Sequence, residues 1–184
     1  MSDGFLIRDA STADAPLIGR IFHQAWRETY RGLLPDAMVD GVDADTIAEE
    51  WAVKLAPGGG SFCLIAETDD GVAMGYGGGT LAGFSDEVIP ELADKGPSGL
   101  LDSLYVLKDH HSGGLGRTLV AGIAAGLTDV GMSRMAVVVL ATNPAVAFYK
   151  RLGAEMVLER ERVHRAHLCP EVVLAWPLPL SFTP

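Results

Sequence analysis

The sequence predicts a single α+β domain over residues 1–184, with about six to seven strands in one sheet flanked by about four helices. Three patterns point there. An apolar run, Leu104–Leu107, leads through a glycine-bearing loop into residues 115–130, where Leu115, Leu119, Ile123, Leu127 and Val130 recur every three or four positions, the spacing of one apolar helical face. A second strand-to-helix unit follows, Val137–Leu140 and then Asn143 to Gly153. Further β-like runs at 62–67, 72–81, 155–160 and 171–176 are bounded by turn residues and carry no helical period.

Composition sets the outer bounds. The chain has 184 residues, 48% hydrophobic and 21% charged, which suits one well-buried domain with no internal repeat. A formal net charge of −10 argues against nucleic acid, which calls for a basic footprint. No apolar run approaches the roughly 18–20 residues of a membrane span, and the first residues lack the basic and apolar regions of a signal peptide. Two cysteines, Cys63 and Cys169, make no disulfide framework. Reduced thiols and a cytoplasmic location are therefore expected.

In chain order, Phe5–Arg8 reads as a strand, and Ser11 to Asp14 as a helix start with its acid at the positive end. Leu17, Ile18, Ile21, Phe22 and Ala25 give that helix its apolar stripe, and the stretch Gln24–Pro35 ends it. Asp36–Lys54 reads as one further helical segment, with Ile47, Trp51 and Leu55 on one face and six acidic residues before its first basic one. Phe62–Glu67 and Val72–Leu81 form an antiparallel hairpin turned at Asp69-Asp70-Gly71. Gly75, Gly77, Gly78 and Gly79 in its second strand predict a bulge or a close backbone approach. Residues 84–99 read as an acidic linker carrying Asp86, Glu87, Glu91 and Asp94, long enough to edge a substrate mouth. With the acidic helix it would favour a cationic acceptor; a solvated acidic surface explains the same residues.

The loop His111-Ser112-Gly113-Gly114-Leu115-Gly116 carries the first functional signal. The opening N–H groups of a helix have no intrahelical partner and sit at the positive end of its dipole. Glycines let such a loop take positive φ and bring backbone close to a phosphate. The expected ligand of residues 112–117 is thus a phosphate or pyrophosphate, and a plain tight turn is the competing reading. A P-loop would need Gly-Lys-Ser/Thr, which is absent, and a dinucleotide fingerprint belongs in a first βα turn. In the second unit Asn143 is a good helix cap, Pro144 suits a first turn and Gly153 a stop.

Taken in register, the two units resemble the GNAT superfamily of N-acetyltransferases. Leu104-Tyr105-Val106 with Gly114-x-Gly116 is similar to its L-Y-V-x-P-x-x-Q/R-G-x-G-x-G segment, and Asn143 to Gly153 matches N-P-A-x-x-F-Y-x-x-L-G. Lys108, His111 and Ser112 stand where that pattern has Pro, Gln/Arg and Gly. The resemblance implies a mostly antiparallel, partly splayed sheet, and acetyl-CoA as cosubstrate without a metal. It implies direct transfer to an amine in a ternary complex. The backbone of Leu104, Tyr105 and Val106 would pair with the pantetheine arm. His111, Ser112, Gly113, Gly114, Leu115, Gly116 and Arg117 would hold the pyrophosphate. Asn143 would contact the pantetheine or cap its helix, and Tyr149 would face the thioester sulfur as catalytic phenol. The run Trp26-Arg27-x-x-Tyr30-x-Gly32-Leu33-Leu34-Pro35 resembles a subgroup in which it lies beside the acceptor. Trp26 and Tyr30 would then line the acceptor site, or else staple two helices.

A general base does not carry over, because the usual strand glutamate is Leu100. Asp102, two residues before Leu104 and so on its face of a regular strand, is the candidate base or relay. His164, His167 and Cys169 are expected in a hairpin loop rather than around a metal, and His110 and His111 in a loop. The alternative class is an acyl-CoA-binding sensor without turnover, suggested by Leu100 and the altered loop; a retained Tyr149 favours the enzyme. Fold analogy names no acceptor, and both monomer and homodimer are open.

Overall fold

The computed structural model describes residues 4–84, 89–164 and 167–182. Seven strands form one sheet: β1 (Phe5–Asp9), β2 (Ser61–Thr68), β3 (Ala73–Leu81), β4 (Ser98–Val106), β5 (Arg134–Leu140), β6 (Glu155–His164) and β7 (His167–Pro177), in the order β1-β2-β3-β4-β5-β7-β6. Every neighbouring pair is antiparallel except β4 and β5. These two run parallel and pair only across Ser98–Leu100 and Arg134–Ala136. Beyond Leu100 they part, which is the splay the resemblance implied.

Among the described residues five α-helices cover the sheet: α1 (Ala15–Tyr30), α2 (Asp36–Asp40), α3 (Ala44–Lys54), α4 (Leu115–Asp129) and α5 (Ala145–Arg151). On one face Ile18 and Ile21 of α1 and Trp51 of α3 pack with Cys63, Ile65 and Tyr76. On the other, Val120, Ile123 and Leu127 of α4 meet Leu101, Met135, Val137, Leu174 and Trp176. The expected single helix over 36–54 is broken at Gly41, because Asp43 caps a new one, its carboxylate accepting from Thr46 N at 2.9 Å. The acids there are also committed: Arg31 bonds Asp36 at 2.9 Å and Asp40 at 2.6 Å. Asp36, Asp40 and Asp43 are therefore spent in local pairs and a cap rather than aimed at an acceptor. Of the acidic linker, Asp86 and Glu87 lie outside the described residues. Glu91 and Asp94 are exposed on a short 3-10 turn, Pro90–Lys95, anchored by buried Leu92, and strand β4 has already begun at Ser98.

The glycines of β3 answer to close packing. A Cβ on Gly78 would stand 2.3 Å from Trp51 Cη2, and one on Gly79 2.5 Å from Phe62 Cζ. Gly78→Ala is expected to destabilise the domain by about 1–3 kcal/mol through overpacking, read as a lowered Tm. The bulge falls opposite, on β4: Gly78 pairs with Ser103 and Gly79 with Leu101, leaving Asp102 as the extra residue. The expectation that Asp102 shares a face with Leu104 is overturned by that insertion. Leu101 and Leu104 both pack towards α4, whereas Asp102 reaches Lys54 of α3 at 2.7 Å.

The late strands are longer than their sequence suggests. Only residues 165 and 166 separate β6 from β7, and His164 pairs directly with His167. The expected hairpin loop is thus strand on both sides, and the two histidines share one face, as directly opposed residues do. After Pro177 the tail turns back: Leu178 N donates to Ser133 O at 2.9 Å, and Leu178, Leu180 and Phe182 pack on the α4 core.

Candidate functional site

The parting of β4 from β5 leaves a slot through the middle of the sheet, and a cavity opens on each side of it. The larger, about 680 Å³, runs from Tyr30, Asn143 and Tyr149 at the slot to the turn before α4. The smaller, about 360 Å³, lies between α1 and the β6–β7 end of the sheet. Tyr30, Leu101, Asp102, Val138 and Val139 border both, so the cavities adjoin at the slot.

The turn before α4 has the geometry of an anion cradle. Ser112 stands at φ +70° and Gly114 at φ +82°, and both residues border the larger cavity. Thr118 N closes the first intrahelical bond onto Gly114 O at 3.1 Å. The N–H groups of Leu115, Gly116 and Arg117 precede that bond and lack intrahelical acceptors. A Cβ on Gly113 or Gly114 would meet no heavy atom within 4 Å, so that flank is open. Arg117 lies over the Phe182 ring at 5.0 Å and lines the cavity together with Lys108 and Arg151. Arg151 was not singled out in the sequence, yet its place on α5 brings it to this wall.

Along the slot the β5-facing edge of β4 has no strand partner among the described residues after Leu100, so its peptide groups at Leu104 and Tyr105 can pair with an extended chain. His111 closes the far end: its Nε2 lies 2.9 Å from Val106 O, while Lys108 N donates to Glu28 Oε2 at 3.0 Å. Gly153, at φ +85°, stops α5, and Asn143 fixes its start. Asn143 is 7% exposed; its Oδ1 accepts from Ala145 N at 2.8 Å and its Nδ2 donates to the Tyr30 hydroxyl at 3.1 Å. One side chain thus caps α5 and ties it to α1. The Trp26 ring lies 4.2 Å from the Tyr30 ring, tilted by 43° to it, and lines the smaller cavity.

Tyr149 stands on α5, 5% exposed, its ring set edge-on against Trp176 at 5.7 Å. Trp176 is held in turn by a bond from its Nε1 to Leu152 O at 3.0 Å. Burial, with a smaller contribution from Tyr30, pushes the Tyr149 hydroxyl above its ordinary value. Tyr30 is raised by burial too, partly offset by the Asn143 bond. Both phenols are therefore neutral donors at physiological pH.

The smaller cavity holds a carboxylate that the sequence did not single out. Glu171 on β7 is 5% exposed. Its Oε1 meets His164 Nε2 at 2.5 Å, and its Oε2 accepts from Arg160 Nε at 3.1 Å. Asp102 lies across the cavity with its Oδ2 taken by Lys54 Nζ at 2.7 Å. Leu100, in place of the usual glutamate, is a buried apolar wall of the same cavity. No group of three or more His, Cys, Asp or Glu side chains able to hold a metal occurs among the described residues. No helix among them is long and apolar enough to cross a membrane.

Residues 83–163 match the family model described as FR47-like protein. Over 171 residues the chain is 26% identical to an uncharacterized N-acetyltransferase, YuaI, of Bacillus subtilis, covering 93% of this chain and 92% of that one. Among solved structures it is similar to the PaiA N-acetyltransferase of Thermoplasma acidophilum in complex with coenzyme A (TM-score 0.69, 15% identity, 95% of this chain and 99% of that one). It is also similar to a GNAT superfamily phosphinothricin acetyltransferase of Sinorhizobium meliloti in complex with acetyl-CoA (TM-score 0.67, 19% identity, 97% and 89%).

Proposed function

We propose that the chain is a GNAT-superfamily acyltransferase, a reading supported by its splayed sheet, its FR47-like segment and its N-acetyltransferase relative, and that it moves an acetyl group from acetyl-CoA directly onto the primary amine of a small molecule. The observation that carries the reading is the pair of cavities adjoining at the slot, with the Tyr149 hydroxyl on the α5 side of it. Donor and acceptor reach the slot from opposite sides, so the transfer becomes a positioned, near-unimolecular step.

The residues fit the cosubstrate. The N–H groups of Leu115 and Gly116 at the start of α4, with Lys108 and Arg151 nearby, suit a pyrophosphate. The free edge of β4 at Leu104 and Tyr105 suits the two amides of a pantetheine arm. That arm carries the thioester towards Tyr149. The amine nitrogen, once deprotonated, attacks the thioester carbonyl; the C–N bond forms and the C–S bond breaks. Sulfur leaves as a thiolate within reach of the Tyr149 hydroxyl. The nitrogen then sheds its second proton, which ends on that thiolate, giving amide and thiol. Asp102 borders the slot, but its carboxylate is occupied by Lys54. We therefore read it as fixing the bulged wall, and place the acceptor-side base elsewhere.

The test is thiol release from acetyl-CoA across a panel of amino acids, short peptides, polyamines, aminoglycosides and apolar monoamines, with acetyl-CoA binding followed by calorimetry. Release that depends on an amine is expected. Tight binding with no release for any amine would overturn acetyl transfer; no binding would overturn the cradle itself.

A further inference from the structure

We propose that the acceptor is a monoamine on a compact apolar body, seated in the cavity between α1 and the β6–β7 end of the sheet, and that His164, held by Glu171, takes its proton. The inference rests on the acetyl-transfer reading and adds to it the acceptor class and the base.

Two sets of observations carry it. The first is the wall chemistry. Phe22, Trp26, Met38, Val42, Ile47 and Val138 make that wall mostly apolar around about 360 Å³, a volume suited to a small ligand. Among the described residues its two carboxylates are already matched, Asp102 by Lys54 and Glu171 by Arg160. A polyamine or aminoglycoside would bring several ammonium groups to a wall whose described carboxylates are both already paired. A single amine on an aromatic or branched aliphatic body loses only one charge on entry, and its body fills the apolar wall.

The second is the disposition of His164. Its Nε2 faces a carboxylate whose other oxygen is bound by a guanidinium, so the Nε2–H tautomer is favoured and Nδ1 keeps the lone pair. This is the arrangement in which a carboxylate orients an imidazole and stabilises the imidazolium formed on proton uptake. His164 is not sealed in, since its side chain is 40% exposed, and it can pass the proton on to water. Glu171 pairs with Leu140, two residues beyond Val138, which borders both cavities; the three side chains share one face of the sheet. The proton balance closes: the ammonium gives one proton to His164 Nδ1 and so to solvent, and the second leaves nitrogen after attack and ends on the CoA thiol.

The experiment compares wild type, His164→Ala, Glu171→Gln and His167→Ala, using 2-phenylethylamine and spermidine as acceptors. Wild type is expected to prefer 2-phenylethylamine. His164→Ala is expected to lose about a hundredfold in kcat, the usual reach of general-base catalysis, with KM and the acetyl-CoA Kd little changed. Added imidazole should restore part of that loss. Glu171→Gln should lower kcat less, and His167→Ala, at an exposed neighbour, should behave as wild type. Three results would overturn the inference while leaving acetyl transfer intact: a preference for spermidine, wild-type kcat in His164→Ala, or a loss that imidazole does not touch. Failure of the wild type to bind acetyl-CoA would instead remove the underlying reading.

Discussion

Gly114→Val is expected to weaken acetyl-CoA binding about a hundredfold by calorimetry while leaving the domain folded. Gly114 holds φ at +82°, a region that a β-branched residue does not occupy without strain. The turn must therefore re-form, and the N–H groups of Leu115, Gly116 and Arg117 lose their common direction. Hydrogen bonds to a charged group contribute roughly 1.5–3 kcal/mol each. Losing the aim of one or two amounts to about 3 kcal/mol, or two decades in Kd. The helix behind is insulated from this change. Leu115, Leu119 and Ile123 are fully buried, and no protein atom lies within 4 Å of a Cβ at Gly114. The added side chain meets open space, not the core. A Kd unchanged by Gly114→Val would place the nucleotide away from this turn.

Such an effect could be anticipated from sequence because its cause is local. The glycine loop, the apolar stripe of α4 and the Asn143-Pro144 start of α5 each follow from neighbours within a few positions, so the α4 face of the site was legible. The acceptor side was not, and the reasons are specific. Asp102 was placed on the face of Leu104 by strict alternation, but the strand takes its extra residue opposite Gly78 and Gly79, a matter of register with a partner some 24 residues earlier. The pairing of Glu171 with His164 was hidden because the strands were expected only at 155–160 and 171–176, with His164 in a hairpin loop between them. In the structure Pro170 opposes Glu161 within β7, and its carbonyl accepts from Ala141 N at 2.9 Å. The strand passes through it and carries Glu171 to its place opposite Leu140. A run of acids likewise suggested a charged face on one long helix, whereas a single cap at Asp43 splits that helix and Arg31 gathers the acids before it. Sequence periodicity reports what each element buries. Which polar residues meet across a slot depends on bulges and caps that pair distant segments.

Tyr149→Phe is expected to lower kcat about tenfold or more while leaving the acetyl-CoA Kd within about twofold. The phenyl ring keeps its place, because what orients it is edge contact with Trp176 and the neighbouring Phe148 ring, and neither involves the hydroxyl. What is lost is one donor in a nearly water-free position, where a hydrogen bond to a developing thiolate lowers the barrier and a bond to the neutral thioester does little. A tenfold loss corresponds to about 1.4 kcal/mol, within the range of a charge-assisted bond. The sign of the pH effect follows from burial. Since Tyr149 is pushed above its ordinary value, it stays protonated through neutral and mildly basic pH. The ratio of wild-type to Tyr149→Phe kcat should therefore be flat up to about pH 10, where an ordinary phenol would already be half ionised. A ratio that collapses between neutral pH and that point would mean that the hydroxyl ionises easily and acts as a base. An unchanged kcat would mean that the sulfur leaves without help from this side of the slot.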